Sequence, residues 1–130
     1  MRILLLTTLF IATLMASYKA PMEVKGSLTI DSKATYGLYN KGAKFLDVRP
    51  MRFVKDGKIK GAIHLYVGDF TKEKLLKIIK LDEEVVVYCN GQSCSLTAEA
   101  IIEMLKYGYT KIYYYRDGYP AWKYYQLPME

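Results

Sequence analysis

The sequence predicts an α/β domain with a mainly parallel sheet. Val85-Val86-Val87-Tyr88 is an apolar run, rich in β-branched residues and without polar alternation, the pattern of a strand covered on both faces. Strand-like and helix-like segments then alternate through the second half of the chain, as parallel strands joined by crossover helices require.

From the amino end, Met1-Arg2 is followed by an uncharged stretch from Ile3 to Met15, then by Ala16 and Ala20. That is the plan of a signal peptide, whose apolar region runs roughly 7–15 residues. An ordinary membrane-spanning helix needs about 20. Residues 1–20 are read as a signal peptide or apolar leader, cleaved after Ala16 or Ala20, although Leu14 and Tyr18 are large for the preceding key positions. The alternative is an apolar helix packed on the domain or kept as an anchor. Export to a periplasmic or other extracytoplasmic space is expected, with no stable membrane span after processing. Residues 21–130 form the domain; no low-complexity segment, linker or repeat divides them.

Within it, Asp31 or Ser32 can cap a helix through Ala34, Leu38 and Tyr39 that stops at Asn40-Lys41-Gly42. Residues 44–48 read as a short buried strand. Residues 49–60, with Pro50, Gly57 and many charges, read as a loop, and 62–65 as another strand. Thr71 caps a helix whose apolar face is Leu75, Leu76, Ile78 and Ile79. After the Val85 strand, Ala98, Ile101, Ile102 and Leu105 recur at helical spacing through 97–107, and Gly108 closes that helix. Residues 111–115 return as a strand, and Gly118-Tyr119-Pro120 turns into a short terminal helix holding Trp122. Tyr113, Tyr114, Tyr115, Tyr119, Trp122, Tyr124 and Tyr125 are read as packing residues.

The net charge is +6, with Lys and Arg scattered among Asp and Glu. A nucleic-acid reader would gather its charge in a stripe, so no nucleic-acid partner is predicted. Most of the charge is a solvated surface with a mild bias toward anions. Two cysteines, Cys89 and Cys94, and one histidine, His64, cannot supply a four-ligand zinc site. No metal or other cofactor is predicted. In an oxidising compartment the two cysteines could also join in one disulfide.

Cys89 stands at the carboxyl end of the Val85 strand, where parallel sheets collect functional groups. The loop Asn90, Gly91, Gln92, Ser93, Cys94 and Ser95 leads onto a helix start. Its backbone N–H groups and the helix dipole would suit an anion. A thiolate there has a lowered pKa and is nucleophilic, and the same amides would hold a persulfide. Gly91 permits the backbone angles of so tight a loop. On spacing alone the same cysteine reads also as an inert small hydrophobe or half of a disulfide.

Four motifs add to this reading. Phe45-Leu46-Asp47-Val48-Arg49 looks like a strand ending in Asp-Val-Arg, and Gly57-Lys58-Ile59-Lys60-Gly61-Ala62-Ile63-His64 like a Gly-x-Ile-x-Gly-Ala-x-His loop. Val86-Val87-Tyr88-Cys89 is similar to a strand that delivers a cysteine, and Asp117-Gly118-Tyr119-Pro120-Ala121-Trp122 to a Gly-Gly-Tyr-Pro-Ala-Trp ending. In that order, over roughly residues 29–128, they resemble the rhodanese-like domains. The resemblance implies the rhodanese fold, a three-layer domain with a central, mainly parallel sheet flanked by helices, and sulfur transfer through a cysteine persulfide. Cys89 would take the outer sulfur of a small donor and pass it to a thiol or other nucleophilic acceptor, a protein acceptor included. Backbone amides from Asn90 to Ser95 would hold the anion, while Asp47, Arg49 and His64 would brace the loops.

The chain also departs from the family. Thiosulfate-using members carry Arg or Lys within the cysteine loop; this loop has none, so thiosulfate is not the expected natural donor. The related arsenate reductases and cell-cycle phosphatases end their wider loop with an arginine, also absent here. Asp117 replaces the first glycine of the Gly-Gly pair. Cys94 is either a small filler or the partner of Cys89 in a thiol-disulfide device, though not at Cys-x-x-Cys spacing. His64 reads as structural rather than as a base. Two other functions stay open: a redox protein using Cys89 and Cys94, and a non-catalytic binding module on the same fold.

Overall fold

The computed structural model describes residues 18–130; the body of the expected leader, residues 1–17, lies outside the described residues. Five strands form one fully parallel sheet. In spatial order they are β1 (Leu28–Thr29), β5 (Ile112–Tyr115), β4 (Val85–Tyr88), β2 (Lys44–Asp47) and β3 (Ile63–His64). The helices are α1 (Ser32–Asn40), α2 (Met51–Val54), α3 (Lys72–Leu76), α4 (Leu96–Tyr107) and α5 (Gly118–Tyr124). This is the α/β architecture that the unbroken Val85 run foretells, and all four residues of β4 are buried at its centre.

Side chains alternate along a strand, so β4 feeds two cores. Val85 and Val87 pack with Leu46, Leu75, Ile101 and Met104 on one face. Val86 and Tyr88 pack with Phe45, Tyr115 and Trp122 on the other. Asp47 is level with Tyr88, and Tyr88 with Tyr115. The carboxyl ends of β2, β4 and β5 therefore finish together, and their loops share one rim.

Local signals set most boundaries. Asp31 caps α1 by accepting from the Ala34 amide, and Thr71 caps α3 by accepting from that of Lys74. Gly108 ends α4 in the left-handed conformation at φ 103°. The residues expected as loop from 49 to 60 instead contain α2, whose Phe53 amide bonds back to the Pro50 carbonyl at 3.0 Å. A one-turn helix is too short to show a period. β3 spans two residues rather than four, and α3 ends at Leu76, burying Leu75 but leaving Leu76 43% exposed, while the buried Ile79 expected on its apolar face follows the helix. Ile102, counted in the apolar face of α4, is 46% exposed. β1 has no counterpart in the sequence reading. Among the described residues no helix is long and apolar enough to cross a membrane.

The aromatic core sets the alkaline limit of the fold. Burial pushes the Tyr115 phenol up to about 12, and also raises Tyr88, Tyr109, Tyr114 and Tyr119; Tyr113 is raised first by its hydrogen bond to Glu84. In the unfolded chain these phenols ionise near pH 10. Between about pH 10 and 12 the folded state thus holds more protons, so its stability is complete below pH 10 and falls as pH rises. Urea midpoints followed by the fluorescence of Trp122 are expected to drop across that window; a flat midpoint would contradict it.

Candidate active site

Cys89 follows β4 directly, at the shared rim. Its side chain takes the Val85 and Val87 side of the sheet, beneath α4, and is 1% exposed. The loop after it turns sharply. Gly91 is left-handed at φ 101°, and the Cys94 amide donates to the Gly91 carbonyl at 3.0 Å. This turn folds Cys94 back onto Cys89, and the two are joined in a disulfide, with 6.7 Å between their Cα atoms. An open thiolate in an amide cradle, expected for the reduced protein, is not the state described: the sulfur of Cys89 is covered and bonded. Of the alternatives for Cys94, the structure has the pairing.

The loop is held from several sides. The Gln92 carbonyl accepts from the Ala20 amide at 2.6 Å, and the Gln92 side chain donates to Asp117 at 2.7 Å. The Cys89 carbonyl accepts from the Tyr119 amide at 2.9 Å, which seats the start of α5 against the cysteine. Asn90 Oδ1 accepts from Arg49 Nη1 at 3.2 Å. Among the described residues, the amides of Gly91, Gln92 and Ser93 donate to no other protein group. Ser95 stands just before α4 and donates to Glu99, while Ser93 is exposed.

Below the rim, on the opposite face from Cys89, lies a buried polar network. Asp47 accepts from Arg49 Nε at 2.9 Å, from Arg49 Nη2 at 2.7 Å, from the Arg49 amide at 3.1 Å and from the Tyr88 hydroxyl at 2.7 Å. Arg49 also donates to the Gly57 carbonyl and lies 4.4 Å from the centre of the Tyr119 ring. His64 Nε2 donates to the Arg49 carbonyl at 2.6 Å. Desolvation opposes the Arg49 charge, but the Asp47 hydrogen bond and charge outweigh it and hold the guanidinium above its usual range. The Asp47–Arg49–His64 network therefore reaches the cysteine loop through the Arg49 bond to Asn90, and the cysteine itself through Tyr119, whose ring packs on Arg49 and whose amide holds the Cys89 carbonyl.

A profile of the family described as Rhodanese-like domain matches residues 32–124. The chain belongs to that family. Its fold is shared by several solved structures. A rhodanese-like domain from Anabaena is 23% identical, covering 78% of this chain and 77% of that one with a TM-score of 0.68. A protein from Lactobacillus plantarum is 29% identical, covering 79% and 87%, with a TM-score of 0.65. A Rhodopseudomonas palustris protein described as a possible tyrosine phosphatase is 23% identical, covering 80% and 85%, with a TM-score of 0.68. No curated protein matches the chain.

In this rhodanese-like domain three contributors escape sequence reasoning. Ala20, assigned to the leader, is buried, and its carbonyl accepts from Nε and Nη2 of the buried Arg116 at 3.2 and 2.8 Å. Tyr88 reads as plain core yet shares its hydroxyl with Asp47. Lys123 lines a cavity of about 370 Å³ beside the loop together with Asn90, Phe53, Asp56 and Tyr119. A larger cavity of about 480 Å³ is lined by Asp31, Tyr36, Tyr125 and Asp117, the last of which holds the Gln92 side chain. The smaller one touches the loop at Asn90.

Proposed function

We propose that this rhodanese-like protein is an exported sulfurtransferase or sulfur carrier that works through a persulfide on reduced Cys89. The observation that carries this reading is the position of Cys89, at the end of the central strand, with loop amides just beyond it that, among the described residues, donate to no other protein group. Once the disulfide is opened by a reductant, the Cys89 thiolate attacks the outer sulfur of a donor R–S–SH. A Cys89–sulfur bond forms, the donor's S–S bond breaks and RS⁻ leaves. An acceptor thiolate then takes the outer sulfur and returns Cys89 as a thiolate. Those amides and the amino end of α4 favour the anionic sulfur at each stage. Arg49 is neutralised by Asp47, and Lys123 shares its cavity with Asp56. Such balanced charge suits a monoanionic persulfide or polysulfide better than a dianion. The apolar leader and the disulfide both support work outside the cytoplasm.

The test is sulfur uptake. Fully reduced protein treated with polysulfide, a mercaptoacid donor or thiosulfate, in separate arms, is expected to gain about 32 Da on Cys89 from at least one donor, and Cys89→Ser none. No gain from any donor sinks the proposal. The Cys89–Cys94 pairing favours one second reading, a thiol-disulfide redox protein, which predicts disulfide exchange with partner thiols and no sulfur uptake. A phosphatase reading has no cation between Asn90 and Ser95 to hold its oxyanion. A non-catalytic module would keep its biological activity in Cys89→Ser.

A further inference from the structure

We infer that Cys94 is a second catalytic residue, which discharges the persulfide on Cys89 as hydrosulfide and closes the Cys89–Cys94 disulfide. This rests on the sulfur-transfer reading above. The described state is the product of that step: Cys94 Sγ is bonded to Cys89 Sγ, the inner sulfur of a persulfide, and not to a position beyond it.

The loop holds Cys94 there without help from the S–S bond. The Cys94 amide is fixed on the Gly91 carbonyl, Gln92 is tied to Ala20 and Asp117, and Asn90 is tied to Arg49. None of these contacts uses a sulfur atom, so reduction leaves the turn intact and Cys94 poised. An intramolecular thiol positioned in this way outcompetes dilute external thiols.

The step balances within the molecule. The Cys94 thiolate attacks Cys89 Sγ, a Cys94–Cys89 bond forms, and the bond from Cys89 Sγ to the outer sulfur breaks. The outer sulfur leaves with the electron pair as HS⁻, taking the proton given up by Cys94. The sulfane sulfur is reduced and the two cysteines are oxidised, so no outside oxidant is needed. A further cycle needs an external dithiol. Cys89 is 1% exposed while Cys94 is only half-buried, so that dithiol meets Cys94 first and releases Cys89 as the thiolate. The reaction that must follow is thus a disulfide reduction, one per sulfur released.

The experiment loads the reduced full chain with inorganic polysulfide, removes the excess, and follows intact mass and free sulfide without added thiol. Wild type is expected to pass from a gain of about 32 Da to a loss of about 2 Da relative to the reduced chain, releasing one equivalent of sulfide. Cys94→Ser is expected to keep its added sulfur at least about tenfold longer, with release on addition of a thiol. Cys94→Ala repeats the measurement with a smaller side chain should the serine variant fold poorly. Equal persulfide lifetimes in wild type and a Cys94 variant overturn the inference and leave sulfur transfer standing. Mapping of the added sulfur to Cys94 in wild type overturns it also. If no variant takes up sulfur, both proposals fall together.

Discussion

Replacing Asp47 by alanine is expected to destabilise the domain by about 3–5 kcal/mol, a large share of the roughly 5–15 kcal/mol that holds a domain of this size. The carboxylate is fully buried and accepts from three Arg49 nitrogens and from the Tyr88 hydroxyl. Its removal leaves a guanidinium in the interior with, among the described residues, only the Gly57 carbonyl and Asn90 as acceptors. An uncompensated buried charge is among the few single changes that cost this much. The Tyr88 hydroxyl also loses its acceptor, while still receiving the Ile59 amide at 3.1 Å. Urea unfolding followed by Trp122 fluorescence checks the magnitude. A loss below about 1 kcal/mol, the worth of an exposed pair, would show that water reaches the network. Asp47→Asn, which keeps the shape and part of the hydrogen bonding, is expected to fall between wild type and Asp47→Ala.

Gly118→Ala is the second large effect, expected to cost about 2–4 kcal/mol. Gly118 is left-handed at φ 65°, where an L side chain is strained. A Cβ there would overlap the Cys89 carbonyl oxygen and stand 2.7 Å from the Gly91 nitrogen. Both are backbone atoms, so no rotamer relieves the contact. Either α5 withdraws and loses the Tyr119 amide bond to Cys89, or the cysteine loop shifts. In both cases sulfur uptake by the reduced variant is expected to fall along with stability. A Gly118→Ala protein with wild-type unfolding and uptake would mean that the two backbones do not meet as described. Asp117, beside it, is left-handed neither in fact nor by need; it sits at φ −67° and bonds Gln92, so its replacement of a family glycine is accommodated.

What the sequence discloses here follows the range of each interaction. The caps Asp31 and Thr71, the stop at Gly108 and the buried β4 rest on neighbours within a few residues and are legible. So are the positions of Cys89 and its loop, because the strand end and the helix start bracket them. β1 and α2 are too short to carry a period, and Leu76 and Ile102 lie at the margin of apolar faces that the rest of the protein does not cover. Ala20 is unreadable for a different reason. It is buried where its carbonyl meets Arg116, 96 residues later, and its amide meets Gln92, and nothing in its local context separates it from a leader. The Cys89–Cys94 bond is one choice among several in the sequence, since spacing alone does not reveal that Gly91 reverses the chain.

Alternation along β4 and β2 places the sulfur atoms above one face of the sheet and the Asp47–Arg49–Tyr88 cluster against the other. The domain thereby separates a reactive half from a supporting half, with Asn90 as the hinge pin between them. Exchanging the three polar residues together for a well-packed apolar set would keep a filled interior yet cut the Arg49 tie to Asn90, and so would test how far the reactive half leans on that one bond.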